Sequence, residues 1–229
     1  DYRSRMGYMG DKRTISGDKI IEKGSYYNEW YVYKSNGLFI TDEDLYDENG
    51  NKVPTMSKND KAGDVRYLDV VEDGTINADD KVRMSNSLPE YLYGGNIAMG
   101  WKGLDFSLSF QGVGHQSVMF NTGWIQPLRN KWGATPELLL GNYWSQHNTP
   151  EQNAKMKYPR LSDTNSSSYS GSDYWLFNGG YFRVKNISIG YTLPQDILKH
   201  IMMKNLRVYV SVNDLPAISN FPKGYDPEL

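Results

Sequence analysis

At 229 residues the chain can hold one domain with its own core, or form part of a larger one. It has no apolar run near about 18 residues, which excludes helical membrane spans; a formal net charge of -2 argues against a nucleic-acid-binding face. The absence of cysteine removes disulfide and thiol chemistry.

The first residues, Asp1-Tyr-Arg-Ser-Arg5, have no signal-peptide character and read as sequence from the middle of a protein. Residues 1 to 25 are polar and punctuated by glycine, with weak β character around Asp18 to Glu22, and their strands cannot be placed from pattern alone. Tyr26-Tyr-Asn-Glu-Trp-Tyr-Val-Tyr-Lys34 is aromatic enough for a strand and leads into Ser35-Asn-Gly-Leu-Phe-Ile40. The acidic stretch Asp42 to Glu48 closes on Asn49-Gly50 and reads as a solvated loop ending in a tight turn.

Residues 63 to 80 carry the grammar of an EF-hand-type loop. With Asp69 at position one, Asp73 falls at five, Gly74 at the turn, Thr75 offers a carbonyl and Asp80 closes the loop. Position three, however, is Val71, whose hydrocarbon cannot coordinate a hard cation. The closing residue is Asp rather than a longer bidentate Glu, and no flanking helix pair is evident. Asp69, Asp73 and Asp80 are therefore the candidate metal ligands, with calcium the one cofactor to consider, and the expectation is a loop that stabilises the fold rather than a working calcium site.

Tyr91 to Trp101 and Leu104 to Val113 are separated only by Lys102-Gly103, the layout of a hairpin. In the second arm Leu104, Phe106, Leu108, Phe110 and Gly112 share one face, and Asp105, Ser107, Ser109 and Gln111 the other. Each arm is about the 9–11 residues that a tilted strand needs to cross a bilayer. A membrane β-barrel hairpin and a water-soluble sandwich both fit this period.

Residues 114 to 180 make a long excursion that carries Trp124, Trp132, Trp144 and Trp175. A short helix is expected over Pro136 to Trp144, capped by Thr135, and Thr164 to Ser172 is a low-complexity turn. Exposed tryptophans could stack on sugars, but most are expected to pack the excursion against itself. Strand pattern resumes at Tyr181 to Leu193, with Ile187, Ile189, Tyr191 and Leu193 on one face and Asn186, Ser188, Gly190 and Thr192 on the other; Pro194 ends it. A short amphipathic turn, Gln195 to Met203, leads to Leu206 to Asn213. There Leu206, Val208, Val210 and Val212 oppose Arg207, Tyr209, Ser211 and Asn213. An arginine on the polar face is cheap beside a water-filled lumen and costly inside a soluble core, which favours the barrel.

Enzymatic constellations are missing. His115, His147 and His200 are scattered without metal-ligand spacing. No nucleophile elbow or phosphate-binding glycine loop occurs, and carboxylate pairs such as Asp79-Asp80 lie in polar loops. Glycosidase carboxylates come from distant positions and stay open on spacing alone.

A series of motifs in chain order carries a family resemblance: Gly63 to Asn77, Tyr93-Gly-Gly-Asn96, Trp101-Lys-Gly-Leu-Asp-Phe106, Phe110-Gln-Gly-Val113, Tyr158-Pro-Arg-Leu161, Gly180 to Pro194, Asn205-Leu-Arg-Val-Tyr209 and Gly224-Tyr-Asp-Pro-Glu228. From about residue 26 onward the chain resembles the C-terminal barrel region of SusC/RagA-type TonB-dependent outer-membrane transporters. The resemblance implies an all-β fold: an antiparallel transmembrane β-barrel portion, part of a barrel of about 22 strands, with long extracellular loops. It further implies an N-terminal plug with a TonB box, a SusD-like surface lipoprotein as lid, TonB as energy-coupling partner, and import of glycans or peptides. Val71 departs from the Asn or Asp usual in the family's acidic loop. The chain also stops where a final strand would follow, and it lacks plug and TonB box, so it resembles an internal fragment.

The expected layout is barrel strands at about 91–101, 104–113, 181–193 and 206–213, with large loops at 34–90 and 114–180. Strands 91–101 and 181–193 would run inward and the other two outward. The expected role is component of an outer-membrane nutrient importer of a Gram-negative bacterium, not an enzyme, in contact with lipid and with no nucleic-acid partner. The rivals are a secreted β-rich carbohydrate-binding module using the same tryptophans, and a glycosidase domain.

Overall fold

The computed structural model describes residues 12–120, 122–127, 129, 133–162, 167–200 and 202–228. Residues 1–11, Trp132 and the Thr164–Ser166 part of the low-complexity turn lie outside them. In chain order the strands are β1 (Thr14–Ser16), β2 (Lys19–Ile21), β3 (Glu29–Tyr33), β4 (Ser35–Leu38), β5 (Val65–Tyr67), β6 (Lys81–Arg83), β7 (Tyr91–Trp101), β8 (Leu104–Gly114), β9 (Ser117–Met119), β10 (Leu176–Asn178), β11 (Tyr181–Thr192), β12 (Arg207–Asn213) and β13 (Ile218–Ser219). They fall into two units.

The first unit takes Asp1–Leu88, Ser117–Phe177 and Pro222–Gly224. It holds an antiparallel sheet in the order β1-β2-β3-β6 and the pairs β4-β5 and β9-β10. The weak β character near Asp18 resolves into the hairpin β1-β2, in which Ile15 faces Ile20 across the turn. Short strands and single turns cannot bury much by themselves, so side chains drawn from distant segments make the core. Trp175 is wholly buried, stacked between Tyr158 and Tyr169 at ring separations of 5.8 and 5.7 Å, and its indole donates to Ser168 O at 2.8 Å. Ile20, Val32, Phe39, Val65, Ile125 and Leu139 are equally enclosed.

The helix expected over Pro136 to Trp144 is a single 3-10 turn, Glu137–Leu139. Pro136, not Thr135, stands at its N-cap, in extended backbone and with no side-chain cap bond. Leu139 is fully buried while Leu140 is exposed. Gly141 then takes a positive φ of 70°, which stops helical propagation.

The second unit takes Pro89–Gln116, Asn178–Phe221 and Tyr225–Leu229. Its sheet runs β12-β11-β8-β7, all antiparallel, with β13 added against the start of β11. Lys102 and Gly103 both have positive φ, 46° and 87°, the backbone of a type I′ turn, and Trp101 pairs with Leu104 across it. Between β11 and β12 the amphipathic turn forms the helix α1 (Gln195–His200).

Register sorts the side chains into rows. Ile97, Leu108, Ile187 and Val212 stand side by side across the four strands, as do Met99, Phe106, Ile189 and Val210. On the opposite face run Ala98, Ser107, Ser188 and Ser211, then Asn96, Ser109, Asn186 and Asn213. The phase would break at the start of β11 were it not for an irregularity between Val184 and Asn186, where Lys185 is the extra residue. This bulge puts Arg183 opposite Gln111 and Val184 opposite Phe110, restoring polar to polar and apolar to apolar. The apolar face has no core against it within the unit: Met99, Ile189 and Val210 are 61%, 51% and 70% exposed.

Candidate functional site

The first unit holds a cleft of about 530 Å³ whose walls come from four separate segments. One wall is Trp144. Gly63, at φ 89°, lies so close that a Cβ there would sit 2.6 Å from the indole, so only glycine permits this packing. The indole N–H is donated to Ile40 O at 2.9 Å, the backbone N–H of Trp144 to Tyr158 O at 2.8 Å, and that of Arg160 to Gly63 O at 2.8 Å. Trp144 is therefore held in place and presents only its ring to a ligand.

Two buried carboxylates, Asp60 and Asp64, bracket the Lys61–Ala62 part of the lining in the chain. Asp64 accepts from Lys61 N (3.0 Å), Ser168 Oγ (3.0 Å) and Arg160 Nη2 (3.1 Å), with Arg160 Nε 2.9 Å away. Asp60 accepts from Ser57 N at 2.9 Å and Ser167 Oγ at 2.6 Å. Burial pushes the Asp60 carboxyl above its ordinary value, against the lowering effect of Ser167 and Ser57. Burial likewise raises the hydroxyls of Tyr67 and Tyr169, which stay protonated as donors to Ser167 O and Arg160 O.

Around the rim stand Lys61, Tyr143, Gln146 and His147. Asp42, also at the rim, already accepts from Ala62 N at 3.0 Å. Of the tryptophans singled out in the sequence, Trp175 is core, Trp144 is a cleft wall, and Trp124 is half exposed beside Phe120. The sequence set Gly63 and Arg160 in separate motifs and singled out Trp144, but nothing in it joined them with Lys61 into one cleft; they are neighbours because Gly63 lets distant segments close on one another.

The three candidate metal ligands are used by their own loop. Asp80 is completely buried; Oδ1 accepts from Val70 N (2.8 Å) and Val71 N (3.2 Å), and Oδ2 from Asn77 N (2.8 Å). Asp69 accepts from Gly74 N (2.7 Å) and Asp73 N (3.3 Å), and Asp73 from Thr75 N and Oγ1 at 2.9 and 2.7 Å. Burial opposes ionisation of Asp80, but the amides of Asn77, Val71 and Val70 outweigh it and hold its pKa below the ordinary aspartate value. Among the described residues no group of three or more His, Asp or Glu side chains is arranged to hold a metal ion. Carboxylates saturated by amides, with Val71 at a ligand position, fit a calcium ion poorly.

In the second unit the polar face is charged and internally paired. Asp105 and Arg207 form a two-contact ion pair, 3.0 and 2.6 Å. Arg183, almost fully buried, donates from Nη2 to both oxygens of Asp226 at 2.8 Å and from Nη1 to Glu228 at 2.8 Å. Lys185 lies 2.7 Å from Asp214 and 3.2 Å from Glu228. The sequence pattern placed Arg207 on the polar face; it gave no sign that Arg183 and Lys185, beside and within the bulge, pair with Asp214, Asp226 and Glu228.

One face thus carries ion pairs and amide ladders while the other is a bare apolar surface, an arrangement that suits a wall between water and hydrocarbon. No protein-family model matches the sequence. The TonB-dependent receptor P3 of Formosa agariphila is 26% identical over 229 residues, covering 98% of this chain and 20% of the relative. The TonB-dependent receptor SusC of Bacteroides thetaiotaomicron is 27% identical over 227 residues, covering 97% and 20%. The chain therefore spans about a fifth of the length of the curated relatives it matches. In fold, it superposes on a structure of the RagAB peptide importer in the closed-closed state with a TM-score of 0.61 at 22% identity, covering 96% of this chain and 22% of that chain. Over nearly its whole length the chain is thus similar in sequence to TonB-dependent receptors, SusC among them, and its antiparallel β fold is similar to part of the RagAB importer structure.

Proposed function

We propose that these residues supply part of the membrane-spanning wall and of the outer loops of a TonB-dependent nutrient importer. The observation that carries this is the register-aligned apolar face of β7, β8, β11 and β12, exposed on the outer strands and half-exposed on much of the inner ones, opposite a polar, ion-paired face. In water such a patch would aggregate, whereas in a closed barrel it is solvated by lipid. The type I′ turn at Lys102-Gly103 is as short as periplasmic turns are, and the long segments 34–90 and 114–180 are as long as extracellular loops. On this reading β7 and β11 run inward, β8 and β12 outward, and the first unit, with its cleft, is built from outer loops.

The partners that go with this function are a SusD-like surface lipoprotein over the loops and TonB, engaged through a plug domain elsewhere in the receptor. The cargo is an oligomeric glycan or peptide. Similarity to TonB-dependent receptors supports the transport class, and the likeness to the RagAB peptide importer makes peptide cargo one of the options. The test is affinity purification of the full-length receptor from outer membranes, with uptake assays in its deletion strain. A surface lipoprotein should co-purify, and uptake of one class of oligomer should vanish and return with the gene. Recovery of the full-length protein as a soluble secreted species would overturn the importer and support a carbohydrate-binding module.

A further inference from the structure

Resting on the importer reading, we propose that the Trp144 cleft is a subsite for an acidic sugar, a uronate residue of an oligosaccharide. The cleft, about 530 Å³, has room for one or two pyranose rings. Its one rigid wall is the ring of Trp144, whose N–H is already given to Ile40 O. That wall can offer only a π face, the partner of the C–H face of a sugar.

The charges around the cleft are not balanced. Arg160 is neutralised by Asp64, which it grips through two nitrogens, and Asp42 is engaged by Ala62 N. Among the described residues the ammonium of Lys61 has no carboxylate partner, and the side chains of Tyr143, Gln146 and His147 make no hydrogen bond. One free cation beside three free hydrogen-bonding side chains and a fixed aromatic face matches a ring that carries one carboxylate and several hydroxyls.

An extended peptide is the poorer match, because peptides in open clefts are read through backbone hydrogen bonds. Four of the backbone donors around the cleft are already spent: Ala62 N on Asp42, Gly63 N on Phe39 O, Trp144 N on Tyr158 O and Ser145 N on Asn153 Oδ1.

The experiment is calorimetry on the full-length receptor, purified with whatever lipoprotein accompanies it. The titrants are a tetragalacturonate, its fully methyl-esterified form, and a tetraglutamate peptide. Binding should favour the free tetragalacturonate over its ester, and Lys61→Gln should weaken it about tenfold and erase that preference. Trp144→Phe should weaken both sugars alike. Lys61 is exposed and its ammonium supports nothing in the fold, so loss of binding in Lys61→Gln is not loss of structure. Equal affinity for acid and ester, an unchanged Lys61→Gln, or preference for the peptide each overturns the subsite. If these occur while the receptor still resides in the outer membrane and imports an oligomer, the importer stands and only the subsite falls; a receptor absent from the outer membrane removes both.

Discussion

The ring of Tyr93 occupies the space where Gly112 of the neighbouring strand would carry a Cβ. The two residues are directly paired, and the Tyr93 hydroxyl reaches on to Tyr181 O at 3.2 Å. Tyr91 covers Gly114 in the same way, and Phe110 lies against Gly95, where a Cβ would meet the ring at 3.0 Å. Each large ring is accommodated by a cross-strand glycine, which lets aromatic residues cluster at one end of the apolar face without splaying the sheet. Gly112→Val should therefore drive a branched side chain into Tyr93 and the carbonyl of Tyr181, destabilising the sheet by about 1–3 kcal/mol. Gly100→Ala, where the nearest atom is Leu104 O at 3.9 Å, should be nearly silent. Heat-modifiability of the full-length receptor on gels compares the two, and equal losses would refute the packing.

Arginine at Leu108 should cost about 2–4 kcal/mol if the residue sits at mid-bilayer, whereas arginine at Ser109, on the polar face, should be nearly neutral. Spin labels at the two positions of the full-length receptor report the same thing as accessibility to a lipid-soluble or a water-soluble relaxant. Lipid access at Ser109 instead would mean that the register is off by one residue.

Asp80→Ala should loosen the 69–80 loop, because three amides lose their only buried acceptor, at a cost of about 3 kcal/mol. The pH dependence has a fixed sign. Asp80 has a folded pKa below its ordinary 3.8, so its ionised form stabilises the loop fully above that value, and the contribution is lost as pH falls through the folded pKa. Protection factors of the Val70, Val71 and Asn77 amides, taken against the intrinsic exchange rate at each pH, should fall in acid for the parent protein and be low already at neutral pH in Asp80→Ala.

Calcium should bind the same loop no more tightly than roughly millimolar, since the site needs about six to eight oxygens and Val71 supplies none from its side chain. Calorimetry on the intact receptor is the check. A micromolar calcium heat that disappears in Asp73→Ala would reverse this view.

Arg183→Met should release the 214–228 segment, leaving Asp226 and Glu228 without their shared cation. Limited proteolysis of the full-length receptor should then cut near Lys223, a site expected to resist cleavage in the parent. Identical digestion patterns would show that the segment is held by something else.

Alternation along 104–113 and 206–213 was enough to recognise β8 and β12 and to say which side chains share a face, because side-chain direction in a strand is a local property of period two. The Lys102-Gly103 hairpin was legible for the same reason: two residues between matched strands leave few backbone solutions. Where the outcome depended on residues far apart in the chain, pattern failed. Nothing near Lys185 announces the bulge, which exists to reconcile Arg183 with Gln111 some seventy positions earlier. The helix expected at 136–144 shrank to one turn because burial of Leu139 and the left-handed Gly141 outweighed local propensity. The acidic loop's motif identified which carboxylates matter but not what they hold. Only the folded loop shows Asp80 turned inward onto amides. Gly63, Trp144 and Arg160 stood out one by one, but not as a cleft with Lys61, since packing and long-range hydrogen bonds join them and these leave no periodic trace in a single sequence.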